Sequence, residues 1–320
     1  MSTTAFDQQN LITPDGHTLY VAQYGQVAGP AAVVLHGGPG SGTQPSVLEW
    51  FDLSRQRVVL FDQRGAGLSQ PQGEIAHNDS NKLVADIELI RSHLNISRWM
   101  VVGGSWGATL ALLYAGQFTQ YVSALVLRGS FLASAREMTW FFQSLQAMVP
   151  QAWARMTQDW NEQQQSNVLQ TLCQALLHGS SEQANDAARR WALYEEAIMQ
   201  AMAGQMMSES IVPSATASQS EKPVSVRTLN KYRLQAHYLS HACFTSEADL
   251  QSMTAQLADT PAILIHGTHD LVCPPENAMR LKQAMPHAQL RWVAKGGHTP
   301  ADAGIAAALK QAVMDQCAYL

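Results

Sequence analysis

The sequence predicts an α/β protein with a mostly parallel sheet, helices on both faces of that sheet, and an inserted helical domain. Short apolar runs alternate with helical patterns, as is typical of buried parallel strands. These runs lie at residues 31–36, 57–62, 98–104 and 123–129. Two similar runs, 261–270 and 289–298, return only after a long stretch without a convincing strand. The helical stretch therefore separates two halves of one sheet.

The remaining elements follow from turn residues and periodicity. Two β-prone runs flank Pro14-Asp15-Gly16 within residues 11–25, which predicts a hairpin. Helices are predicted at 81–94, 107–118 and 275–285. In the first of them the apolar residues recur at helical spacing and predict one buried face, formed by Leu83, Ile87, Ile90 and Leu94.

The chain is predicted to divide into three segments. Residues 1–132 and 243–320 are predicted to form the core that contains the sheet, and residues 133–242 a helical cap. The cap segment is rich in Gln, Met, Ala and Trp. A polar, Ser-rich stretch at 208–223 interrupts it and predicts a mobile loop.

Composition excludes several classes of protein. The 320 residues are 46% hydrophobic and 14% charged, as in globular proteins, and the net charge of −5 argues against a nucleic-acid partner. The first residues lack a secretory signal, and no window is apolar enough to span a membrane. Four scattered cysteines fit a reducing compartment better than a disulfide framework, so a cytoplasmic location is expected.

The pentapeptide Gly103-Gly104-Ser105-Trp106-Gly107 matches G-x-S-x-G between a predicted strand and a predicted helix. In that setting the turn is so tight that glycine is needed on both sides of the serine. We therefore predict an α/β-hydrolase fold with Ser105 as the nucleophile. A glycine-rich strand-to-helix turn without catalytic function is the alternative for this motif alone.

Serine needs a base, and the base needs a residue that orients it. Asp270 and His298 each follow a later predicted strand, in the serine–acid–histidine order of this fold. Both are thus expected at the sheet edge that carries Ser105. The alternative is that Asp270 caps a helix and His298 is an ordinary loop residue.

A second glycine-rich loop, residues 36–40, follows the first buried strand. The backbone N–H groups of Gly38 and Trp106 are the predicted oxyanion donors. His36 is expected to be structural. A phosphate-binding loop would need the lysine of a Walker motif, which this segment lacks.

A metal site near Asp270 is not expected. His266 and His269 lie three residues apart at a strand end, where their side chains should diverge.

Longer motifs give a narrower answer, because the chain resembles proline iminopeptidases, which remove an N-terminal proline from peptides. The resemblance runs from the hairpin to the C-terminus. It implies an α/β-hydrolase core, a helical cap, no cofactor, and a triad of Ser105, Asp270 and His298. The motifs that carry it are HGGPGSG (36–42), VVLFDQRGAGLS (58–69), VADIE (84–88), GGSWGATLALLYA (103–115), LVLRGSF (125–131) and HGTHDLVCPPENA (266–278).

The resemblance also implies residues that bind the substrate's N-terminal amine. Glu195, in WALYEEA (191–197), matches one family glutamate. The second family glutamate lies in Ala-Arg-Ile-Glu-Asn-His-Tyr-Phe, and here YRLQAHYL (232–239) places Gln235 at that position. Glutamine accepts a hydrogen bond but carries no charge. Glu196, where the family commonly has glycine, could compensate in part.

An apolar substrate pocket is implied at Phe131 and Phe141, with Leu239 in place of a phenylalanine. The leading hypothesis is a serine aminopeptidase that releases N-terminal proline, or a similar small residue, through an acyl-enzyme. A serine esterase or amidase for a small uncharged acyl substrate is the second hypothesis, motivated by Gln235. A non-catalytic receptor for a small molecule is the third.

Overall fold

The structure, a computed structural model, describes residues 4–203 and 223–317. Its strands form one eight-stranded sheet. They are β1 (Asp7–Ile12), β2 (Thr18–Gly25), β3 (Ala31–Leu35), β4 (Arg57–Phe61), β5 (Trp99–Gly104), β6 (Val122–Arg128), β7 (Ala262–Gly267) and β8 (Gln289–Val293). Their order across the sheet is β1-β2-β4-β3-β5-β6-β7-β8. The predicted fold class is confirmed.

Parallel pairing begins at β4 and continues to β8, whereas β1 and β2 pair antiparallel with their neighbours. The predicted hairpin is present as β1 and β2. Its turn is closed by a hydrogen bond from the N–H of Thr13 to the carbonyl of His17 at 2.8 Å. Gly16 lies there at a φ of +92°, a conformation that side chains disfavour.

Helices cover both faces of the sheet. One face is covered by α1 (Ser80–His93) and α2 (Trp106–Gln117). Neighbouring residues of β3 point to opposite sides, so that Val33 packs in the cluster with these helices and Val34 in the cluster with the C-terminal helix. The predicted apolar face of α1 is buried along its whole length.

A run of helices joins β6 to β7. Its α-helices in the described residues are α3 (Ala135–Phe142), α4 (Pro150–Met156), α5 (Glu162–Ser166), α6 (Val168–His178), α7 (Ser181–Met202), α8 (Val226–Ser240) and α9 (Glu247–Ala255). Most of them share an apolar cluster of their own, which includes the contacting rings of Trp191 and Phe142. The boundaries 133 and 242 of the cap stay a prediction. The Ser-rich stretch at 208–223 lies, apart from its last residue, outside the described residues.

Two further helices complete the core, α10 (Pro275–Ala284) and α11 (Ala303–Gln316). The first packs on the α1 and α2 side and the second on the opposite face. Within the part of the chain that the structure describes, no helix combines the length and the hydropathy that a membrane span requires.

Arg64, in the motif that follows β4, belongs to a buried ion-pair network. Arg64 donates to both carboxylate oxygens of Asp86 in α1, at 2.6 and 2.7 Å. The same guanidinium donates to Asp15 in the hairpin turn at 2.8 Å. Bidentate contacts of this kind fix orientation as well as charge. Arg64 thereby joins the hairpin, the loop after β4 and α1.

Candidate active site

Ser105 occupies a strained turn between β5 and α2. Its backbone has a φ of 58° and a ψ of −126°, a conformation rarely adopted by residues other than glycine. A Cβ atom at Gly103 would collide with the carbonyl of Gly107, and one at Gly107 would collide with the carbonyl of Leu35. The glycines on both sides of the serine are therefore required by space, as the motif predicts.

His298 and Asp270 are in direct contact. Nδ1 of His298 lies 2.8 Å from Oδ2 of Asp270, whose side chain is fully buried. The other oxygen of Asp270 accepts hydrogen bonds from the backbone N–H groups of Val272 at 3.0 Å and Cys273 at 2.9 Å. Burial alone would raise the pKa of Asp270, but the charge and hydrogen bond of His298 outweigh it and lower that pKa. Asp270 is thus held as an ionised acceptor beneath the imidazole.

Arg128, at the end of β6, connects this pair to Ser105. Its guanidinium donates to the backbone carbonyl of His298, and its own carbonyl accepts from the N–H of Ser105 at 2.9 Å. Burial lowers the pKa of Arg128, and the nearby Asp270 opposes that shift. The sequence analysis did not identify Arg128. A charged residue at the end of a fully buried strand is the signal that could have identified it.

The glycine-rich loop after β3 is fixed by Gln63. The backbone N–H of Gln63 donates to Nε2 of His36 at 3.0 Å, and its side-chain amide donates to the carbonyl of His36 at 2.8 Å. Burial lowers the pKa of His36, which fits a neutral ring with a structural function. Within the described residues, the N–H groups of Gly38 and Trp106 donate no hydrogen bond. Both remain candidates for the oxyanion donors.

One cavity of about 550 Å³ brings the predicted residues together. Ser105 and His298 line it from the core, and Glu195 and Gln235 line it from the cap. Lys231, which the sequence analysis did not single out, also lines this cavity. The structure thus places the predicted nucleophile, base and amine-binding residues around a single space.

Glu195 is engaged by three neighbours on α8. Its Oε2 accepts from Nζ of Lys231 and from the hydroxyl of Tyr232, both at 2.7 Å. Its Oε1 accepts from the amide of Gln235 at 3.3 Å. The same amide nitrogen donates to the carbonyl of Gly38 at 3.2 Å. Gln235 therefore joins the cap to the glycine-rich loop.

Several residues implied by the resemblance lie elsewhere. Phe131, Phe141 and Leu239 are not among the residues that line this cavity in the described part of the chain. Phe141 is buried in the apolar cluster of the cap, and its carbonyl accepts from the hydroxyl of Tyr194 at 3.0 Å. Glu196 is exposed and accepts from Gln200 at 3.3 Å. The assignment of these residues to substrate binding stays a prediction.

His266 is buried and has two backbone partners. Its Nδ1 accepts from the N–H of Ser130 at 3.2 Å, and its Nε2 donates to the carbonyl of Cys273 at 2.9 Å. Burial lowers the pKa of His266. Both ring nitrogens are therefore used in holding the loop that carries Asp270, and neither is free to ligate a metal.

Comparison with known proteins identifies the family. A family model described as the alpha/beta hydrolase fold matches residues 30–302. A probable proline iminopeptidase of Leptolyngbya boryana is 34% identical over 92% of this chain and 88% of its own length. The proline iminopeptidase of Arabidopsis thaliana is 36% identical over 95% of this chain and 78% of its own length.

Solved structures give the same fold at lower identity. A proline iminopeptidase-related protein of Thermus thermophilus superposes with a TM-score of 0.58 at 22% identity, covering 98% of this chain and 99% of that one. An esterase from a Rhodococcus species superposes with a TM-score of 0.59 at 18% identity, covering 97% and 98%. The family match over most of the chain and the relatives above 30% identity lead to one conclusion: this protein belongs to the proline iminopeptidase family of the α/β-hydrolase fold.

Proposed function

We propose that this protein is a serine aminopeptidase that releases an N-terminal proline, or a similar small residue, from small peptides through an acyl-enzyme. The observation that carries the proposal is the shared cavity, which Ser105 and His298 line together with Glu195 and Gln235. Its volume of about 550 Å³ is within the usual range for small-molecule sites. The names of the relatives support proline as the residue released.

The residues of the core supply the chemistry. Oγ of Ser105 forms a bond to the carbonyl carbon of the first residue, and Nε2 of His298 takes the hydroxyl proton. The N–H groups of Gly38 and Trp106 stabilise the oxyanion. The C–N bond then breaks, and the proton on His298 passes to the leaving amine. Water, deprotonated by His298, then attacks the ester carbonyl and the bond to Oγ breaks. Oγ of Ser105 takes the proton back from His298, and the free amino acid is released.

Asp270 holds His298 in the tautomer that these reaction steps require. Because Oδ2 of Asp270 lies 2.8 Å from Nδ1, the proton of the neutral ring stays on Nδ1. Nε2 is then free to accept the proton from Ser105. When the ring becomes charged, the same carboxylate stabilises it.

The cap residues supply selection for an N-terminus. An aminopeptidase needs acceptors for the substrate's amine at a fixed place relative to the nucleophile. Oε1 of Glu195 and Nε2 of Gln235 lie 3.3 Å apart on neighbouring cap helices, and both residues line the cavity that Ser105 also lines. This arrangement favours a substrate whose first residue, and not an internal one, reaches the serine.

A serine esterase or amidase for a small uncharged acyl substrate is the second candidate. It is favoured by the neutral amide of Gln235 and by the pairing of Glu195 with Lys231. Both features reduce the negative charge available to a substrate ammonium.

The cytoplasm is the proposed location for either activity, since all four cysteines are free thiols.

Hydrolysis of proline p-nitroanilide, measured beside a panel of p-nitrophenyl esters, tests the proposal with the wild type and Ser105→Ala. Serine-dependent release of proline is the expected result. Ester cleavage that depends on Ser105, without release of proline, would favour the second candidate. Proline release by purified Ser105→Ala would contradict the assignment of the nucleophile.

A further inference from the structure

We propose that Lys231 determines specificity: it neutralises Glu195, so that the cavity favours the uncharged form of the substrate's N-terminal amine. The proposal rests on the serine aminopeptidase activity proposed above and adds the protonation state in which the substrate binds.

The ammonium of Lys231 lies where a substrate amine would contact the carboxylate of Glu195. Its Nζ lies 2.7 Å from Oε2 of Glu195, and both side chains are partly buried. The ammonium also lies 4.6 Å above the ring of Tyr232, whose hydroxyl donates to the same carboxylate oxygen. Oε2 therefore already has two donors, and one of them carries the compensating charge.

The charge balance of this site differs from what an ammonium requires. Glu195 contributes one negative charge, Lys231 one positive charge, and Gln235 none. A cation entering the cavity gains attraction from the carboxylate and loses a similar amount by repulsion from Nζ. An uncharged amine avoids this repulsion and costs less to remove from water.

Gln235 provides the acceptor that remains. Its Oε1 is buried and has no hydrogen-bond partner among the described residues, and the side chain lines the cavity. The residue as a whole is only 7% exposed. A buried acceptor without a partner is costly, and a donor from the substrate would remove that cost. The uncharged amine of an N-terminal proline has a single N–H, which matches this single free acceptor.

Among the residues that the structure describes, the other titratable groups around the cavity do not add a net negative charge. On the core side the positive charge of Arg128 offsets the negative charge of the buried Asp270, and burial lowers the pKa of His36, which favours a neutral ring. On the cap side burial raises the pKa of Tyr232, and Glu195 and Glu196 raise it further, so the phenol stays neutral. Glu196 is exposed to solvent. His298 acts on every substrate alike, so its effect on kcat/KM cancels when two substrates are compared.

The test compares proline p-nitroanilide with cyclopentanecarboxylic acid p-nitroanilide, which has the same ring without the nitrogen. The ratio of the two kcat/KM values removes the titration of the enzyme's own groups. For the wild type we expect this ratio to rise roughly tenfold per pH unit below the pKa of the substrate's amine, near pH 8 for α-amino groups, and then to level off. A ratio that is constant or falls with pH would overturn the proposal.

The variant Lys231→Met measures the contribution of Lys231 to this ratio. Removing the ammonium leaves Glu195 free to bind a charged amine, so the ratio at pH 6 should rise by roughly tenfold or more and its pH dependence should flatten. Arg233→Met is the matched control, because Arg233 is exposed and lies two residues further along the same helix. It removes the same charge and should leave the ratio unchanged. An unchanged ratio in Lys231→Met, or an equal change in the control, would refute the proposal.

Folding and the proposed function are checked separately. Circular dichroism and cleavage of the cyclopentane substrate report the folded state, and Lys231→Gln, which keeps a hydrogen-bond donor without charge, replaces the methionine variant if that variant fails to fold. Failure of the proposed function would show as Ser105-dependent ester cleavage without cleavage of either anilide. The ratio is then measured with the p-nitrophenyl esters of the same two acids, and the expected and contradicting results are the same.

Discussion

The side-chain oxygen of Gln63 accepts a hydrogen bond from the indole N–H of Trp106 at 3.0 Å. The amide nitrogen of the same side chain donates to the carbonyl of His36 at 2.8 Å. Gln63 thus joins the glycine-rich loop to the first residue of α2. These are the two segments that carry the proposed oxyanion donors, so this buried amide helps to fix their spacing.

Gln63→Leu should lower kcat by about 10- to 100-fold with little change in KM. The reason is that both donors lose the group that holds them, and small displacements of oxyanion donors are costly in the transition state. Steady-state kinetics on an ester and on proline p-nitroanilide measure the effect, at a temperature where both proteins are folded. Gln72→Leu is the control, since Gln72 is exposed and its side-chain amide donates to the carbonyl of Gly67, outside the glycine-rich loop. A kcat equal to that of the control would show that Gln63 does not position the donors.

Asp270→Asn should lower kcat by about 10³- to 10⁴-fold and leave substrate binding nearly unchanged. The asparagine side chain keeps the shape of Asp270 but cannot stabilise a charged His298, and its amide can hold the ring in the wrong tautomer. Pre-steady-state and steady-state kinetics measure the loss. Asp259→Asn, at an exposed position, provides the comparison. A loss below tenfold would mean that another group orients His298.

The strand ends that carry Ser105, Asp270 and His298 could be predicted because local sequence determines them. An apolar run predicts a buried strand, and parallel strands bring their carboxyl ends to one edge. The glycines at 103 and 107 report a steric requirement that acts over a few residues. Local rules of this kind are readable without knowledge of the packing.

Contacts between distant elements were not predictable in the same way. The pairing of Lys231 with Glu195 depends on how α7 and α8 pack, and the contact of Arg128 with His298 joins residues far apart in the chain. Resemblance gave the residue types at 131 and 141 but not their directions, and Phe141 packs inside the cap. Side-chain direction follows from helix packing, which a short motif does not specify.

Arg64→Leu should destabilise the fold by about 3–5 kcal/mol, because it leaves the carboxylate of Asp86 buried without its partner. Both side chains are only 2% exposed. Replacing both residues by leucine should cost less than the single change, since no buried charge then remains unpaired. Urea unfolding of the two single variants and the double variant measures the coupling. A loss below about 1 kcal/mol for Arg64→Leu would contradict the argument that this charge pair is required.

The pH dependence of stability should carry a contribution from Asp15. Burial would raise the pKa of Asp15, but hydrogen bonds from Arg64, Thr13 and Lys82 lower it well below its usual range. A carboxylate with a lowered pKa in the folded state stabilises the fold above its unfolded pKa, near 4, and loses that contribution as the pH falls. Asp15→Asn should therefore be less stable than the wild type at pH 7 by about 1–2 kcal/mol.

That difference should shrink as the pH is lowered below about 4, because the wild-type carboxylate then becomes protonated in the unfolded chain and progressively in the folded one. Urea unfolding of both proteins between pH 7 and pH 3 measures it, with Asp259→Asn as an exposed control that should follow the wild type throughout. A constant difference between Asp15→Asn and the wild type over this range would mean that the loss comes from packing in the hairpin turn and not from the charge. A difference that grows towards acid pH would reverse the sign of the linkage and contradict the lowered pKa.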